Sequence, residues 1–600
     1  MHENKLTFRK CIRELLGFVR PYRIKLSIAL TMVIVTNLTF ALNPMIEGKI
    51  TTQLAEDGVQ ILNGIPGAHI QFPVLFRFMG ILFCLYIVKT ISQLITSFFL
   101  TDAIQNTMHD IRNALQKKIQ RLPVKYFDDH AFGDILSSVT NDVDTLSNAL
   151  QQTLSRVFAA ILTFLFVIIM MFSINVWMAL TALLIIPLTM LITFGFVKHS
   201  QRMFDLQQKM VGELNGTITE LYSGFNEILL FNRQKDSSEK FSMVNQKMAD
   251  AAFKAQFLSS LISPFVSLVT YLTIGSIAVM GSFFVINGSV TVGNLQAFIR
   301  YIWQINDPLS QVSQLSSQVQ SAYAAMNRIF TLLNETEEVQ KGSVDLDLSK
   351  IQGNVVFDHV QFGYADELLM KDVSFQVKSG QMVAIVGPTG AGKTTLMNLL
   401  LRFYDVKGGS IKIDGIDIRD MDRNDLRKLF SLVLQDTWLF SGSIFENIRY
   451  GSLTARKDEV VDAAKMANIH HYISTLSHGY DSLINEESNN ISQGEKQLLT
   501  IARAVLKDPR ILILDEATSA VDTRLERMLQ EAMQKVMKGR TSFVIAHRLS
   551  TIRNADLILV VENGDIIEQG THEELLQKNG AYHKLYNSQF ADRQINSAGE

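Results

Sequence analysis

The stretch Gly387-Pro388-Thr389-Gly390-Ala391-Gly392-Lys393-Thr394 has the residue types and spacing to hold a chain of phosphates. Its glycines let backbone N–H groups turn inward around phosphate oxygens. Lys393 is placed to reach the terminal phosphates and Thr394 to ligate Mg²⁺, with Thr395 completing the cradle. The apolar run Met382-Val383-Ala384-Ile385-Val386 precedes the loop and reads as a buried strand. Residues 395–401 follow and read as a helix start, whose N-terminus adds a positive dipole end. Strand, loop and helix in that order are the context this pattern requires.

Hydrolysing a bound nucleotide needs carboxylates beside the phosphates. Ile511-Leu512-Ile513-Leu514-Asp515-Glu516 is an apolar strand ending in two of them. Asp515 is placed to hold Mg²⁺, partly through water, and Glu516 to orient and deprotonate the attacking water. A further strand, residues 541–546, ends at His547, which can contact the γ-phosphate. The alternating run 355–362 is followed by Tyr364, an aromatic able to stack on adenine. The expected ligands are therefore ATP and Mg²⁺.

These groups occupy only the C-terminal part of the chain. Six hundred residues exceed one domain, and charged residues make up 19%, below the usual share of about a quarter. With 37 Phe and 23 Met, the chain reads as part membrane, part soluble protein. A net charge of −2 gives no reason to expect a nucleic-acid partner. Cys11 and Cys84 fall in a basic tail and an apolar segment, which argues against a structural disulfide. No short signal peptide with a cleavage site is apparent at the start; the first apolar run is long enough to remain as an anchor.

Six apolar stretches can span a bilayer, at 26–46, 75–100, 157–173, 177–197, 261–285 and 295–312. Ile174-Asn175 and Asn287-Gly288-Ser289 are turn signals between the third and fourth and the fifth and sixth. Lys and Arg cluster before span one, after span two and after span four, while the two short turns have none. Both termini are therefore expected in the cytoplasm, with residues 47–71 as an outer loop. The inner connections, 101–156 and 198–260, are polar with helical periodicity and read as spans extended into the cytoplasm. Asn37, Arg77, Lys89, Arg300 and Asp307 are polar residues within spans. Arg77 and Lys89 are expected near span ends, snorkelling, and Arg300 with Asp307 share a helix face as a structural or pathway-lining pair. The fold class is thus an all-α six-helix transmembrane domain followed by an α/β phosphate-loop ATPase. Residues 1–325 form the first, 326–350 a linker and 351–600 the second.

The sequence resembles the ATP-binding cassette transporters over nearly its whole length. Leu514-Asp515-Glu516-Ala517-Thr518-Ser519-Ala520-Val521-Asp522 resembles the second nucleotide motif running into the D-loop. Val433-Leu434-Gln435-Asp436 resembles the Q-loop, and Ala546-His547-Arg548-Leu549-Ser550 the switch-histidine segment. The resemblance implies that Gln435 contacts Mg²⁺ and the attacking water. It also implies that Ser492, Gln493, Gly494 and Glu495 form a signature segment that covers ATP bound by a second chain. Leu122-Pro123-Val124-Lys125-Tyr126-Phe127-Asp128 and Thr140-Asn141-Asp142-Val143-Asp144 resemble the first inner loop of exporters. Six spans ahead of one cassette imply a half-transporter working as a pair of chains.

The signature departs from the family pattern: Gln493 stands for a glycine and Glu495 for a glutamine. Glu495 adds negative charge near an anionic ligand. Lys393, Thr394, Gln435, Asp515, Glu516 and His547 fit the pattern while the signature does not, and that asymmetry resembles heterodimeric exporters with one degenerate ATP site, so a different but related partner chain is expected rather than a second copy. The implied function is ATP-driven export of amphipathic compounds, of multidrug type, with drug, lipid or peptide as cargo. A lipid flippase and a nucleotide-gated channel or regulatory subunit are the alternatives. The location implied is a plasma membrane, of bacterial type.

Overall fold

The computed structural model describes residues 6–340, 342–344, 346–434, 437–485, 490–515, 523–546 and 549–588; the side chains of 153–155, 197–198, 306–317, 523 and 550 are outside that description. The chain divides into two compact units. One comprises Met1–Gln120 with Phe132–Glu335, the other Arg121–Ala131 with Thr336–Glu600.

The first unit is helical. Its principal helices are Phe8–Val19, Arg23–Leu62, Phe72–Ile119, Asn141–Ile174, Ile185–Ser223, Gln234–Ser260, Ile262–Ile286 and Val292–Asn334. Among the described residues, five helical stretches are long and apolar enough to cross a membrane: Phe8–Leu62, Phe72–Ile119, Phe132–Ile174, Val176–Ser223 and Gln234–Ile286. The sixth expected span lies on Val292–Asn334, partly over side chains outside the described residues. Its described part is packed on one side: Phe298, Tyr301, Ile302 and Ile305 are buried with Ala41, Met178 and Ile277. The Tyr301 hydroxyl donates to the Ala41 carbonyl at 2.8 Å. A helix buried among others tolerates polar positions that a lipid-facing helix does not.

The two turns form where expected. Asn175 caps Val176–Leu183 by accepting from the Met178 N–H at 3.0 Å, and Gly288 takes φ +72°. The inner connections are long helices continuous with the spans, broken briefly near residues 120–140 and 224–233. The connection expected at 47–71 is shorter than expected, because Arg23–Leu62 stays helical as far as Leu62. Its extension is held by packing: a Cβ on Gly293 would lie 1.6 Å from the Gly48 carbonyl oxygen, so the two backbones touch. Buried Asp57 then accepts from Gln53 Nε2 and from the Gln71 N–H, each at 2.9 Å, closing the connection. Arg300 faces Glu47 at 3.6 Å, and the Asp307 side chain expected to accompany it lies outside the described residues.

Among the described residues the second unit forms three sheets. In chain order the strands are β1 Val355–Phe362, β2 Met370–Val377, β3 Met382–Val386, β4 Gly408–Ile413, β5 Ile416–Asp417, β6 Phe430–Val433, β7 Gly442–Ser443, β8 Leu483–Ile484, β9 Ile511–Asp515, β10 Thr541–Ile545, β11 Leu557–Glu562 and β12 Asp565–Gly570. An antiparallel sheet has the order β2-β1-β4-β5, and a mainly parallel one β12-β11-β3-β10-β9-β6. The short β7 and β8 pair with each other. The inner strands of the parallel sheet are buried on both faces, which explains their unbroken apolar runs. Phe357 and Phe375 stack at 4.4 Å between β1 and β2 and share a core with Leu396, Ile411 and Phe543.

Asp414 ties this core's edge together. Its carboxylate accepts from the N–H groups of Gln352, Gly353 and Asn354 and from Asn354 Nδ2, at 2.6–3.0 Å. Burial pushes its pKa up, but the donors outweigh burial and hold it below the usual carboxylate value. The folded pKa is depressed, so the stabilisation is full above the unfolded value, about 3.9, and is lost as pH falls through the folded value. Asp414→Asn, which tolerates the φ of +49° there, is expected to lose about 1–2 kcal/mol at neutral pH. In acid denaturation series, the gap from the parent should close below about pH 4.

Candidate nucleotide site

The phosphate loop joins β3 to the helix Lys393–Leu400. Gly387 has φ +154° and Gly392 φ +102°, both in the region that favours glycine. A Cβ on Gly387 would meet the Val561 carbonyl oxygen at 2.2 Å. The Gly564 N–H donates to the Ala391 carbonyl at 2.9 Å. The β11–β12 hairpin thus backs the loop, a support its sequence signals only as an Asn563-Gly564 turn. Nothing lies within 4 Å of a Cβ built on Gly390, so the loop's front is open.

Lys393 is buried, and its Nζ donates to the carbonyls of Gly387 and Pro388, each at 2.9 Å. Burial pushes its pKa down, and the Asp515 charge opposes that. Asp515 ends β9, level with Ile545 of β10, which in turn pairs with Ile385 of β3. Loop, lysine and carboxylate therefore meet at the C-terminal edge of the parallel sheet, where such sheets bind ligands. Thr394 is exposed, while Thr395 is buried with its Oγ1 3.1 Å from the Tyr364 hydroxyl. Half-exposed Tyr364 stands edge-on to Phe362 and Tyr404, with ring centroids 5.0 Å away from each. Pro388, Thr389 and Ala391 complete the loop. Gln435, Glu516 and His547 lie outside the described residues. A glycine-turned loop at a helix start, a buried ammonium and a nearby carboxylate fit a nucleoside triphosphate with a divalent cation.

Tyr404 was not legible as a site residue. Its hydroxyl donates to Asp128 on the helix Val124–Asp129, and burial together with Asp128 pushes its pKa up. The inner-loop segment 121–131 is thereby fastened to the ATPase unit beside Tyr364. Tyr404→Phe removes one charge-assisted hydrogen bond of about 1.5–3 kcal/mol. Amide exchange of residues 121–131 is expected to rise about tenfold or more, while that of β3 is unchanged.

The signature residues stand on a separate element, the start of the helix Gln493–Lys507. Ser492 and Gln493 are exposed and Gly494 is buried. The Glu495 carboxylate is engaged within its own helix, accepting from the Ser492 N–H at 2.9 Å and from Ser492 Oγ at 2.6 Å. This is a capping box, a position that takes Glu or Gln alike. Tyr472 also hydrogen-bonds Glu495; burial first and that charge second raise the tyrosine's pKa.

Two family models match the chain: "ABC transporter transmembrane region" over residues 26–309 and "ABC transporter" over residues 370–519. The chain is 43% identical over 525 residues to a fatty acid ABC transporter ATP-binding/permease protein of Mycobacterium bovis, covering 87% of this chain and 83% of that one. It is 34% identical over 585 residues to an ATP-dependent lipid A-core flippase of Desulfotalea psychrophila, covering 97% and 100%. It is also 34% identical over 581 residues to a putative multidrug export ATP-binding/permease protein of Bacillus subtilis, covering 96% and 99%.

Proposed function

The chain belongs to the ATP-binding cassette transporter family and couples ATP hydrolysis to transport; from that premise we propose that its cargo is a lipid-type amphiphile, exported across a bacterial cell membrane. The observation that carries this is similarity reaching through the membrane half to relatives named for fatty acid and lipid A-core. Lys and Arg placement supports a cytoplasmic location for both termini and the ATPase. Lys393 and the loop amides bind the phosphates, and Tyr364 receives the adenine. Thr394, Asp515 and Gln435 would hold Mg²⁺, which supplies charge neutralisation on the phosphates. Glu516 acts as the base toward water, and His547 contacts the γ-phosphate. The signature residues Ser492, Gln493, Gly494 and Glu495 close on ATP held by the second chain, and closure shifts the membrane halves between two states.

Reconstituted vesicles test the cargo. ATP is expected to drive labelled fatty acid or lipid across the bilayer, and Lys393→Met to abolish it. ATP-driven movement of cationic dyes with no lipid movement would favour the multidrug reading, which the Bacillus subtilis relative's name supports.

The partner is a second half-transporter chain. The charge of Glu495 is the larger part of the case for a non-identical partner, and the capping box accounts for that residue within its own helix. Gln493 remains as the departure that favours a heterodimer. Tagging this chain and isolating the complex from its native membrane decides the matter. A related chain at equal amount supports the heterodimer, and this chain alone supports two identical sites.

A further inference from the structure

Three cavities follow one another along one face of the helix Arg23–Leu62. The first, about 340 Å³, is lined by Lys89 with Asn37, Gln93, Thr163 and Phe40. It shares Val33 and Thr96 with the second, about 230 Å³, which is walled by Leu30, Leu100 and Phe158. Leu26 joins the second to the third, about 360 Å³, under the helix Phe8–Val19. From Phe40 to Leu26 is fourteen helical residues, roughly 21 Å. That exceeds one leaflet of a hydrocarbon core about 30 Å thick.

We propose that this succession of cavities binds one long-chain fatty acid, its carboxylate at Lys89 and its chain running toward Leu26 and the N-terminal helix. The site rests on the lipid-export reading and names a cargo class for it.

The walls dictate the ligand's chemistry. Lys89 lies in the interior of Phe72–Ile119, not at a span end, and its ammonium sits 4.5 Å from the Phe40 ring centroid. Among the described residues no carboxylate stands within ion-pair distance of it. An amine at such depth needs an anion or a cavity, and an arriving carboxylate supplies the charge. Asn37 Oδ1 is already taken by Thr163 Oγ1 at 2.7 Å, and Asn37 Nδ2 by the Val33 carbonyl at 2.8 Å. Beyond Val33 the lining offers almost no polar atom: Thr96 and Thr107 spend their hydroxyls on the Ser92 and Ala103 carbonyls, each at 2.8 Å. Water there would lack partners, and Phe8, Leu16, Leu30 and Phe158 stand exposed along the lining, so the groove is apolar surface left to be covered. The covering helix cannot simply collapse, because the Leu6 carbonyl accepts from the Tyr323 hydroxyl and the Leu6 N–H donates to Asn327 Oδ1, both at 2.9 Å. At its far end the Tyr22 hydroxyl donates to Asp110 at 2.7 Å. A single hydrocarbon chain satisfies every wall.

Photolabelling of the full chain in nanodiscs with palmitate bearing a terminal diazirine tests the site. The expected label falls within residues 8–33 and 100–107 and is competed by unlabelled palmitate. Hexadecanol, without the charge, should compete about tenfold more weakly or worse. Lys89→Gln should erase that preference and Lys89→Arg retain it. Labelling confined to the exposed residues Phe76, Phe83 and Phe98, or an unchanged preference in Lys89→Gln, would overturn the proposal. Competition by phosphatidylglycerol but not palmitate would overturn the fatty-acid assignment. Should the Lys89 variants fail to fold, the label position and the palmitate-to-hexadecanol ratio in the parent chain still decide. Specific labelling without ATP-driven movement of palmitate would leave the site standing and sink the transport reading; movement without labelling would do the reverse.

Discussion

Lys393→Met is expected to lower ATP turnover about a thousandfold or more. The ammonium it removes is buried and held by the Gly387 and Pro388 carbonyls at the mouth of the amide cradle. Preorganised charge of this kind, aimed where phosphate charge develops, is typically worth two to three powers of ten for a single donor. Here a full charge is lost, together with two bonds that shape the loop. Methionine keeps the bulk, so the β3 core around Ile385 and Leu396 should be unaffected and the chain should fold. Turnover should therefore fall while the thermal unfolding profile stays close to the parent's. Phosphate-release assays on the purified transporter check this; activity within tenfold of the parent would mean that the lysine does not act on the phosphates.

Glu338→Ala is expected to destabilise the ATPase unit by about 2–3 kcal/mol, the cost of removing charge-assisted bonds to guanidinium groups that stay behind. Glu338 is almost fully buried and takes Arg427 through both oxygens, at 2.7 and 3.0 Å, while Arg423 approaches at 3.1 Å. Arg423 is itself buried; it also holds Asp405 at 2.7 Å and the Val339 carbonyl at 2.9 Å. Burial pushes its pKa down, with Asp405 and Glu338 opposing. Removing Glu338 takes away the carboxylate that Arg423 and Arg427 share, while Asp405 stays with Arg423 and Arg402. Adding Arg427→Met to Glu338→Ala should recover part of the loss, since one orphaned cation goes with it. Denaturant midpoints of the ATPase transition in the full chain measure both. A single variant within 1 kcal/mol of the parent would show that the cluster is solvated and marginal.

That cluster was invisible in the sequence, and the contrast with the phosphate loop is instructive. The loop's work is local: a strand, three glycines, a lysine and a helix start are consecutive, so spacing alone carries their geometry. Asp515 was legible for the same reason, at the end of an apolar strand. The membrane helices were legible because each must be apolar for some twenty residues wherever it packs. The extent of the connection at 47–71 was not, because Gly48 is ordinary until Gly293 is found against it. Nor was the role of Glu495. Its charge suggests repulsion of a ligand, yet the fold gives it Ser492 and Tyr472 as partners.

The sequence by itself determined the two architectures and the coupling of ATP hydrolysis to transport, because each is written in short contiguous patterns. Only the tertiary structure decided which distant residues serve them. It set Tyr404 between Tyr364 and Asp128 and closed Glu338 against Arg423 and Arg427. It put Lys89 over the Phe40 ring, in the lining of a cavity that neighbours two others. Such pairings depend on where helices and strands cross, and no local propensity encodes a crossing.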